Sequence, residues 1–248
     1  MKNSSIIYGI APVLEALSAD NRKIEKILIA EGRQHQRINE IMSLARQRRI
    51  RFQKRPRHDL SKLVERNTNH QGVIAFTSST SYYDSQRLFD EITEKENSLS
   101  LILDGVQDPH NLGAILRSVE CVGADGVFIP ERRAVGLTDI VSKSSAGASE
   151  HVKIAKVNNL NQLVDQLKAE GVWVVGASGD GEMNYYDWDW KQPTVLVMGS
   201  EGSGISRLTA EKCDVLVRIP MRGKLDSLNV SVATGVILFE SLRQRTKE

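Results

Sequence analysis

Three loops in this chain place polar side chains among small residues, a combination that can bind or orient a ligand. In the first loop, D-P-H-N-L-G-A-I-L-R-S, Asn111 lies near the start of a predicted helix and Arg117 lies inside it. An arginine among apolar helical residues usually binds a carboxylate or a phosphate. In the second, M-G-S-E-G-S-G-I-S, Glu201 can accept hydrogen bonds from a ligand or orient an arginine. Both loops are candidate parts of a site, although Asn111 could instead be only a helix N-cap.

The third loop, I-P-M-R-G-K-L-D-S-L-N, joins a short apolar strand to the last predicted helix. Pro220 has no backbone N–H, so the strand should end there. Either Ser227 or Asn229 is predicted to be the N-cap of the helix, because both side chains can accept hydrogen bonds from its first turn. Such a junction can bring backbone groups close to a ligand, although many strand-loop-helix junctions are only connections.

Glycines lie at two of the predicted strand ends. Gly199, Gly202 and Gly204 permit positive φ and a close approach of the backbone to a bound group. Their loop lacks the G-K-[ST] ending of a phosphate loop and carries an acid in its middle. A further cluster, G-A-S-G-D-G from Gly176, has the spacing G-x-x-G-x-G and is not followed by a helix pattern. It therefore matches the dinucleotide fingerprint poorly, and a nicotinamide-dependent oxidoreductase is kept only as an alternative.

The histidine and cysteine pattern argues against a metal site and against a serine hydrolase. The five histidines are scattered, with no pair at metal-ligand spacing and no H-E-x-x-H or Ser-His-Asp grouping. Cys121 and Cys213 lack the C-x-x-C spacing of zinc or redox sites. Both cysteines stand in apolar surroundings and are predicted to be buried as small hydrophobic residues.

The elements that must position these loops form an alternating pattern in the second part of the chain. Helix-like stretches separate six apolar runs, each typical of a strand covered on both faces. Alternation of this kind predicts a parallel sheet with helices on both sides, and ligands bind at the carboxyl ends of its strands. The six runs are S-L-I-L-D, G-V-F-I-P, H-V-K-I-A, V-W-V-V-G-A, T-V-L-V-M-G and D-V-L-V-R-I-P.

The first part of the chain is a basic α/β module. Residues 1–78 hold 15 Lys or Arg against 7 Asp or Glu, a net charge of +8, whereas the whole chain carries +2. The densest stretch is R-Q-R-R-I-R-F-Q-K-R-P-R, residues 46–57. Such a cluster attracts phosphates by releasing their counterions, so it favours a nucleic-acid partner over a merely solvated edge.

Length and composition fit two domains of an ordinary soluble protein. The chain has 248 residues, of which 40% are hydrophobic and 26% charged. A stretch rich in Ser, Thr and charged residues predicts a linker at 79–98, between a domain at 1–78 and another at 99–248. No apolar run approaches membrane-spanning length, and we therefore expect a cytoplasmic protein.

Taken together, the three loops resemble the signature motifs of the SpoU/TrmH family of RNA ribose 2′-O-methyltransferases, in order and in approximate spacing. The resemblance covers roughly residues 99–245. The basic part, which ends in H-Q-G-V-I-A-F, resembles the L30e-like substrate-binding domain of the branch that methylates a guanosine of 23S ribosomal RNA. Family membership implies a SPOUT-type sheet with a C-terminal trefoil knot, a homodimer with active sites near its interface, and S-adenosylmethionine as the cofactor.

The resemblance also assigns residues to roles. The positions that match the family's catalytic residues are Asn111, Arg117, Glu201, Ser227 and Asn229. The cofactor is expected at the backbone of Gly199, Ile219 and Leu228, with Met221 and Ala177 close by. We expect Arg117 to bind the target phosphate and to stabilise the developing alkoxide, with Asn111 and Glu201 orienting it. Guanidinium stays protonated in proteins, so the identity of the general base is left open.

The expected activity is thus methylation of a ribose 2′-hydroxyl in 23S ribosomal RNA or in a large-subunit assembly intermediate. Transfer RNA is the alternative substrate. A ribosome-binding assembly factor that kept the fold and lost catalysis is the alternative from another class of protein. The intact residues at the catalytic positions argue against that factor.

Overall fold

The structure is a computed structural model that describes residues 4–18, 24–32, 36–64, 68–78 and 82–246. The chain divides into two compact units. Unit 1 comprises Met1–Ser81 and Leu137–His151, and unit 2 comprises Tyr82–Gly136 and Val152–Glu248. Each unit has its own β-sheet, which confirms the predicted α/β class.

Unit 1 is a four-stranded sheet in the order β1-β4-β2-β3, with helices packed against it. Strand β4 pairs antiparallel with β1 and β2, whereas β2 and β3 are parallel. Apolar residues of α1, α2 and the strands form its core. The elements from the first part of the chain are β1 (Ser4–Tyr8), α1 (Ile10–Ser18), β2 (Ile24–Ala30), α2 (Gln36–Gln47), β3 (Arg51–Arg55), α3 (Arg57–Ser61) and β4 (Val73–Ser78).

Strand β3 carries part of the basic stretch at an edge of this sheet. Arg51, Lys54 and Arg55 are exposed along it, while Phe52 packs against the core. It pairs with β2 on one side, and none of the strands among the described residues pairs with its other side. The cations predicted to contact phosphates are therefore available to solvent.

Unit 2 contains a seven-stranded, all-parallel sheet in the order β7-β6-β5-β10-β8-β11-β9. All six predicted apolar strands are present, and β9 is an additional two-residue edge strand. The strands are β5 (Leu99–Asp104), β6 (Gly126–Pro130), β7 (Ile154–Val157), β8 (Trp173–Ala177), β9 (Met183–Asn184), β10 (Thr194–Gly199) and β11 (Val215–Arg218).

Helices cover the sheet of unit 2 and bury its apolar side chains. Central strand β10 is buried along its whole length, which explains its uninterrupted apolar sequence. The helices of this unit are α4 (Ser85–Thr93), α5 (Pro109–Val122), α7 (Leu160–Ala169), α8 (Arg207–Lys212) and α9 (Val230–Thr246). Among the described residues, no helix is both long and apolar enough to cross a membrane.

The structure differs from the predicted domain limits in two places. Residues predicted as linker form α4, because Asp84 caps its first turn and Leu88 and Ile92, one turn apart, are both fully buried in unit 2. Residues 137–151, predicted in the second domain, belong to unit 1. There α6 (Asp139–Ser144) contacts β1, and a short 3₁₀ helix (Ala148–Glu150) contacts α1.

The prediction that both cysteines are buried was wrong for Cys121. This thiol is exposed, because Leu112, Ile115, Leu116 and Val119 take the inward face of α5. Cys213 is half-buried. Burial, with the nearby carboxylate of Asp214, raises the pKa of the Cys213 thiol to about 12.

Candidate active site

The three loops begin at the carboxyl ends of neighbouring strands in unit 2. In the sheet register, Asp104 at the end of β5 lies beside Gly199 at the end of β10. Val217 of β11 lies beside Ala177 at the end of β8, and β8 lies between β10 and β11. Because neighbouring strands are about 4.8 Å apart, the ends of β10 and β11 are roughly 10 Å apart. All three loops therefore lie together at the end of the sheet that is formed by the carboxyl ends of its strands.

A hydrogen-bonded triad, formed by Asn111, Glu201 and Asn229, joins the three loops. The Nδ2 group of Asn111 donates to Oε1 of Glu201. The Nδ2 group of Asn229 donates to Oδ1 of Asn111 and to the same Glu201 oxygen, each at 3.0 Å. No described residue donates a hydrogen bond to Oε2 of Glu201, so one carboxylate oxygen is held and the other is open to a ligand.

Asn111 is not the cap of α5. The cap of α5 is Asp108, whose carboxylate accepts from the N–H of His110 at 2.7 Å, so the N-cap alternative for Asn111 was wrong. Asn111 lies inside the helix and is only 7% exposed. A buried amide in the first turn of a helix needs partners, and the other two triad residues supply them.

Asn229 has two roles at once. Its Oδ1 accepts from the N–H of Ser231 at 2.9 Å and of Val232 at 3.4 Å, and so caps α9 as predicted. Its Nδ2 contributes the two hydrogen bonds to the triad. The start of α9 therefore fixes the orientation of the amide.

The glycine loop has a shape that other residues could not adopt at Gly199. A Cβ atom placed there would collide with the backbone of Gly204 and Ile205, which pass directly over it. Ser200 and Gly204 exchange two backbone hydrogen bonds of 2.9 and 3.0 Å, and Gly202 and Gly204 have positive φ. This tight turn holds Glu201 at the triad.

The loop between β11 and α9 has a backbone that is open to a ligand. No described residue hydrogen-bonds to the N–H or C=O groups of residues 219–228. Ile219 is half-buried, whereas Met221 and Leu228 are exposed by 37% and 42%. Exposed apolar side chains beside unpaired backbone groups are what an adenosine or a second protein chain would cover.

Two of the predicted catalytic residues do not join the triad. Ser227 is exposed, and its hydroxyl donates to the neighbouring Asp226 at 3.2 Å. Arg117 is exposed on α5, about 120° around the helix axis from Asn111. No hydrogen bond or ion pair links Arg117 to another described residue.

Sequence reasoning missed Asp104, which fixes the loop after β10. Its carboxylate accepts from the N–H of Ser206 at 2.8 Å and so ties the end of β5 to the end of the glycine loop. An acid at the last position of a buried apolar strand was the available signal. In the described part of the chain, no three His, Cys, Asp or Glu side chains lie together as metal ligands.

The glycine cluster at the end of β8 is explained by packing. A Cβ on Gly176 would lie 2.7 Å from a methyl group of Leu216, and one on Gly181 would lie 2.7 Å from the carbonyl oxygen of the same residue. These glycines admit β11 beside β8. The cluster therefore gives no support to dinucleotide binding.

Comparison with known proteins identifies related chains. Residues 98–239 match the SpoU rRNA methylase family, and residues 6–83 match the substrate-binding domain of RNA 2′-O-ribose methyltransferases. YacO of Bacillus subtilis (strain 168), whose name places it among TrmH family tRNA/rRNA methyltransferases, is 42% identical over 96% of this chain and 95% of its own. The 23S rRNA (guanosine-2′-O-)-methyltransferase RlmB of Pseudomonas syringae is 41% identical over 97% of this chain and 96% of its own.

A solved structure agrees with these relatives. The SpoU methyltransferase AviRb from Streptomyces viridochromogenes, in complex with the cofactor AdoMet, superposes with a TM-score of 0.81 at 27% identity. The match covers 98% of this chain and 90% of AviRb.

Proposed function

Because this chain belongs to the SpoU rRNA methylase family, we propose that it methylates the ribose 2′-hydroxyl of a guanosine in 23S ribosomal RNA. The family's activity is RNA 2′-O-methylation with S-adenosylmethionine. The observation that carries the proposal is the triad of Asn111, Glu201 and Asn229 beside a loop with unpaired backbone groups. The guanosine and the 23S RNA rest on the likeness to RlmB.

The carboxyl edge of β8, β10 and β11 fits the cofactor. On the strands beside β8, Gly199 lies one residue beyond the level of Ala177 and Ile219 lies two residues beyond it. The unpaired backbone of Ile219, Met221 and Leu228 offers hydrogen bonds to an adenine and a ribose. The side chains of Met221 and Leu228 supply apolar cover. When bound, S-adenosylmethionine supplies a methyl group activated by its attachment to a positively charged sulfur.

The chain's own residues then position the ribose. Asn229 and Asn111 hold one oxygen of Glu201, which directs the open Oε2 toward a hydroxyl donor. A fixed acceptor of this kind can align the 2′-hydroxyl for in-line attack, and alignment supplies much of the acceleration in a displacement reaction. Ser227, two residues before Asn229 and exposed, is proposed to hydrogen-bond the same ribose.

Arg117 acts from a different surface in this proposal. It is exposed about 120° around α5 from Asn111 and makes no bond to the triad of its own chain, so it can reach either the RNA or a second copy of the chain. Its guanidinium binds the target phosphate in bidentate fashion and offsets the charge that develops on the ribose oxygen. The proton acceptor is then water or the open oxygen of Glu201, since guanidinium stays protonated.

The proposal includes a trefoil knot in unit 2 and a homodimer. The knot is supported by the position of β10, which is late in the chain, between β5 and β8. The dimer is supported by large apolar side chains that are exposed on α9 and on the loop before it. These are Met221, Leu225, Leu228, Val232 and Phe239.

Unit 1 is proposed to be an L30e-like domain that grips the RNA, or a large-subunit assembly intermediate, by shape and phosphate. The match of residues 6–83 to the substrate-binding domain supports this, as do the exposed cations of β3. A protein recognises folded RNA mostly by its shape and its phosphates rather than by its base edges. Reaction with ribosomal RNA would take place in the cytoplasm.

Transfer RNA is the second candidate substrate, favoured by the name of YacO. The test is incubation of the full chain with S-adenosylmethionine labelled in its methyl group, and with 23S ribosomal RNA, assembling large subunits or total transfer RNA. We expect label in 23S ribosomal RNA at one guanosine 2′-oxygen, and none when Glu201 is changed to Gln. Label in transfer RNA alone would favour the second candidate, and label in none of the three would favour the non-catalytic assembly factor.

A further inference from the structure

The loop after β6 presents two cations beside the triad that the proposed reaction has not yet used. It has the sequence E-R-R-A-V-G, residues 131–136, and both Arg132 and Arg133 are exposed. Neither guanidinium makes an ion pair or a hydrogen bond with another described residue. Some other cations of unit 2 are paired, as Lys95 is with Asp125 at 2.6 Å and Lys153 is with Glu91 at 2.6 Å.

This loop is fixed against the loops that form the site. A Cβ placed on Gly105, just after β5, would lie 3.5 Å from Cβ of Ser200 and 3.9 Å from the carbonyl oxygen of Arg133. Three loops therefore meet at Gly105: its own, the one that carries Glu201, and the one that carries the arginines. A backbone hydrogen bond of 3.0 Å from the N–H of Val135 to the carbonyl of Val106 holds this contact.

The sheet register places the arginines at the same edge as the triad. Phe128 of β6 pairs with Ile102 of β5, so Pro130 is level with Asp104, which in turn pairs with Gly199. Arg132 comes two residues after the end of β6, as Glu201 comes two residues after the end of β10, and Arg133 follows one residue later. The two strand ends are two strand spacings apart, roughly 10 Å.

The backbone of Arg133 is held in an unusual conformation. Its φ is 62°, in the left-handed region where side chains other than those of Gly, Asn and Asp are uncommon. Strained residues of this kind persist where their surroundings fix them, and they concentrate at functional sites. Glycine would relieve the strain here but would remove the guanidinium.

We propose that Arg132 and Arg133 bind phosphates of the RNA strand next to the target nucleotide, on the β6 side of the triad. This inference rests on the proposed function, since it assumes an RNA strand at this edge of the sheet. Lys156, whose Nζ lies 4.3 Å above the ring of Tyr82 at the end of β7, extends the positive surface one strand further. The RNA strand that enters the site thus follows the carboxyl ends of β7, β6 and β5.

Binding of phosphate by these arginines has consequences that a structural role would lack. The logarithm of the association constant falls as the logarithm of the salt concentration rises. Loss of one phosphate contact makes this slope shallower by about 0.7 to 0.9. Loss of a charge-assisted hydrogen bond weakens RNA binding by about tenfold. Replacement of either arginine should leave turnover unchanged once RNA is saturating, because the arginines do not touch the ribose oxygen.

The test compares Arg133→Gln and Arg132→Gln with Lys191→Gln in the full chain. Lys191 is an exposed cation just before β10, at the opposite edge of the sheet, so its replacement removes the same charge far from the triad. Filter binding of transcribed 23S ribosomal RNA is measured over a range of salt, with KM and kcat for methyl transfer. We expect a higher Kd, a higher KM and a shallower salt slope for the arginine variants, with kcat and the affinity for S-adenosylmethionine unchanged.

A lysine at position 133 separates charge from packing. Arg133→Lys should recover most of the salt slope that Arg133→Gln loses. Binding and salt slopes of both arginine variants equal to those of Lys191→Gln would overturn the inference, even if the wild-type chain methylates RNA normally. Absence of methyl transfer by the wild type would instead contradict the proposed function, while the binding comparison would still decide the role of the arginines.

Discussion

Asn111 and Asn229 are joined by a hydrogen bond of 3.0 Å although 118 positions separate them in the chain. Asn111 belongs to the first turn of α5, and Asn229 caps α9. Helices α5 and α9 pack against each other, so the bond lies where two helix starts meet the carboxyl edge of the sheet. Both amides are then fixed by secondary structure, and Glu201 is the one triad member held by a loop.

The two roles of Asn229 can be separated by the change Asn229→Ser. Serine caps helices about as well as asparagine, so the cap should be kept. The free energy of unfolding should still fall by about 1–3 kcal/mol, because buried Oδ1 of Asn111 loses the hydrogen bond from Asn229. Its hydroxyl is too short to reach Asn111 and Glu201, so we expect kcat to fall by about 100-fold or more, as when a group that orients the substrate is lost. Thermal unfolding and methyl transfer at saturating RNA measure the two effects.

A matched control for this change is Asn159→Ser. Asn159 caps α7 by accepting from the N–H groups of Asn161 and Gln162 at 3.0 and 3.2 Å, with no contact to the triad. Both its stability and its kcat should match the wild type. A wild-type kcat for Asn229→Ser would show that the triad amides are not needed for the reaction.

Gly199 is expected to tolerate no side chain. The change Gly199→Ala would drive a methyl group into the backbone of Gly204 and Ile205, and overpacking of this kind costs about 1–3 kcal/mol. We also expect weaker binding of S-adenosylmethionine, because the displaced turn carries Glu201 and lies at the proposed cofactor edge. Denaturant unfolding and calorimetry measure these effects. Gly179→Ala, at a site with no atom within 4 Å, is the stability control and should unfold like the wild type.

Much of the sheet in unit 2 could be predicted because its strands are continuous apolar runs. The candidate loops follow directly after the apolar runs of β5, β10 and β11. The sequence was therefore sufficient to place Glu201 and Asn229 in loops that begin at strand ends. The order of strands was beyond the pattern, since β10 lies between β5 and β8 through contacts distant in the chain. The triad itself depends on that order.

Arg117 and α4 show why other predictions differed from the structure. The neighbours of Arg117 in sequence are apolar, but Ile115, Leu116 and Val119 occupy one face of α5 and leave the arginine on the other. Periodicity, rather than neighbourhood, decides exposure in a helix. Helix α4 was predicted as a linker because its composition is charged, although Leu88 and Ile92 give it an apolar face.

Unit 2 should lose stability in acid as the carboxylate of Glu91 becomes protonated. Hydrogen bonds from Lys153 and Tyr83 are the main causes that lower the pKa of Glu91 from 4.5 to about 2. A carboxylate with a lowered pKa stabilises the folded state fully above its unfolded pKa, and this contribution is lost as pH falls toward about 2. The difference in unfolding free energy between the wild type and Glu91→Gln should therefore be constant from pH 7 to 5 and shrink below that. Denaturant titrations at several pH values check this, and a difference that stays constant down to pH 3 would contradict it.

Arg117→Ala should remove methyl transfer while leaving the fold intact. The side chain is exposed and makes no bond to a described residue, so its loss should change the free energy of unfolding by less than about 0.5 kcal/mol. Affinity for S-adenosylmethionine should also stay near the wild-type value, because Arg117 is not at the cofactor edge. Arg117→Lys should recover little activity, since an ammonium group cannot make the bidentate contact with a phosphate. Calorimetry with S-adenosylmethionine and label transfer to 23S ribosomal RNA separate these expectations. Retention of most of the turnover by Arg117→Ala would refute the catalytic role and leave the arginine as one more cation on the RNA-facing surface.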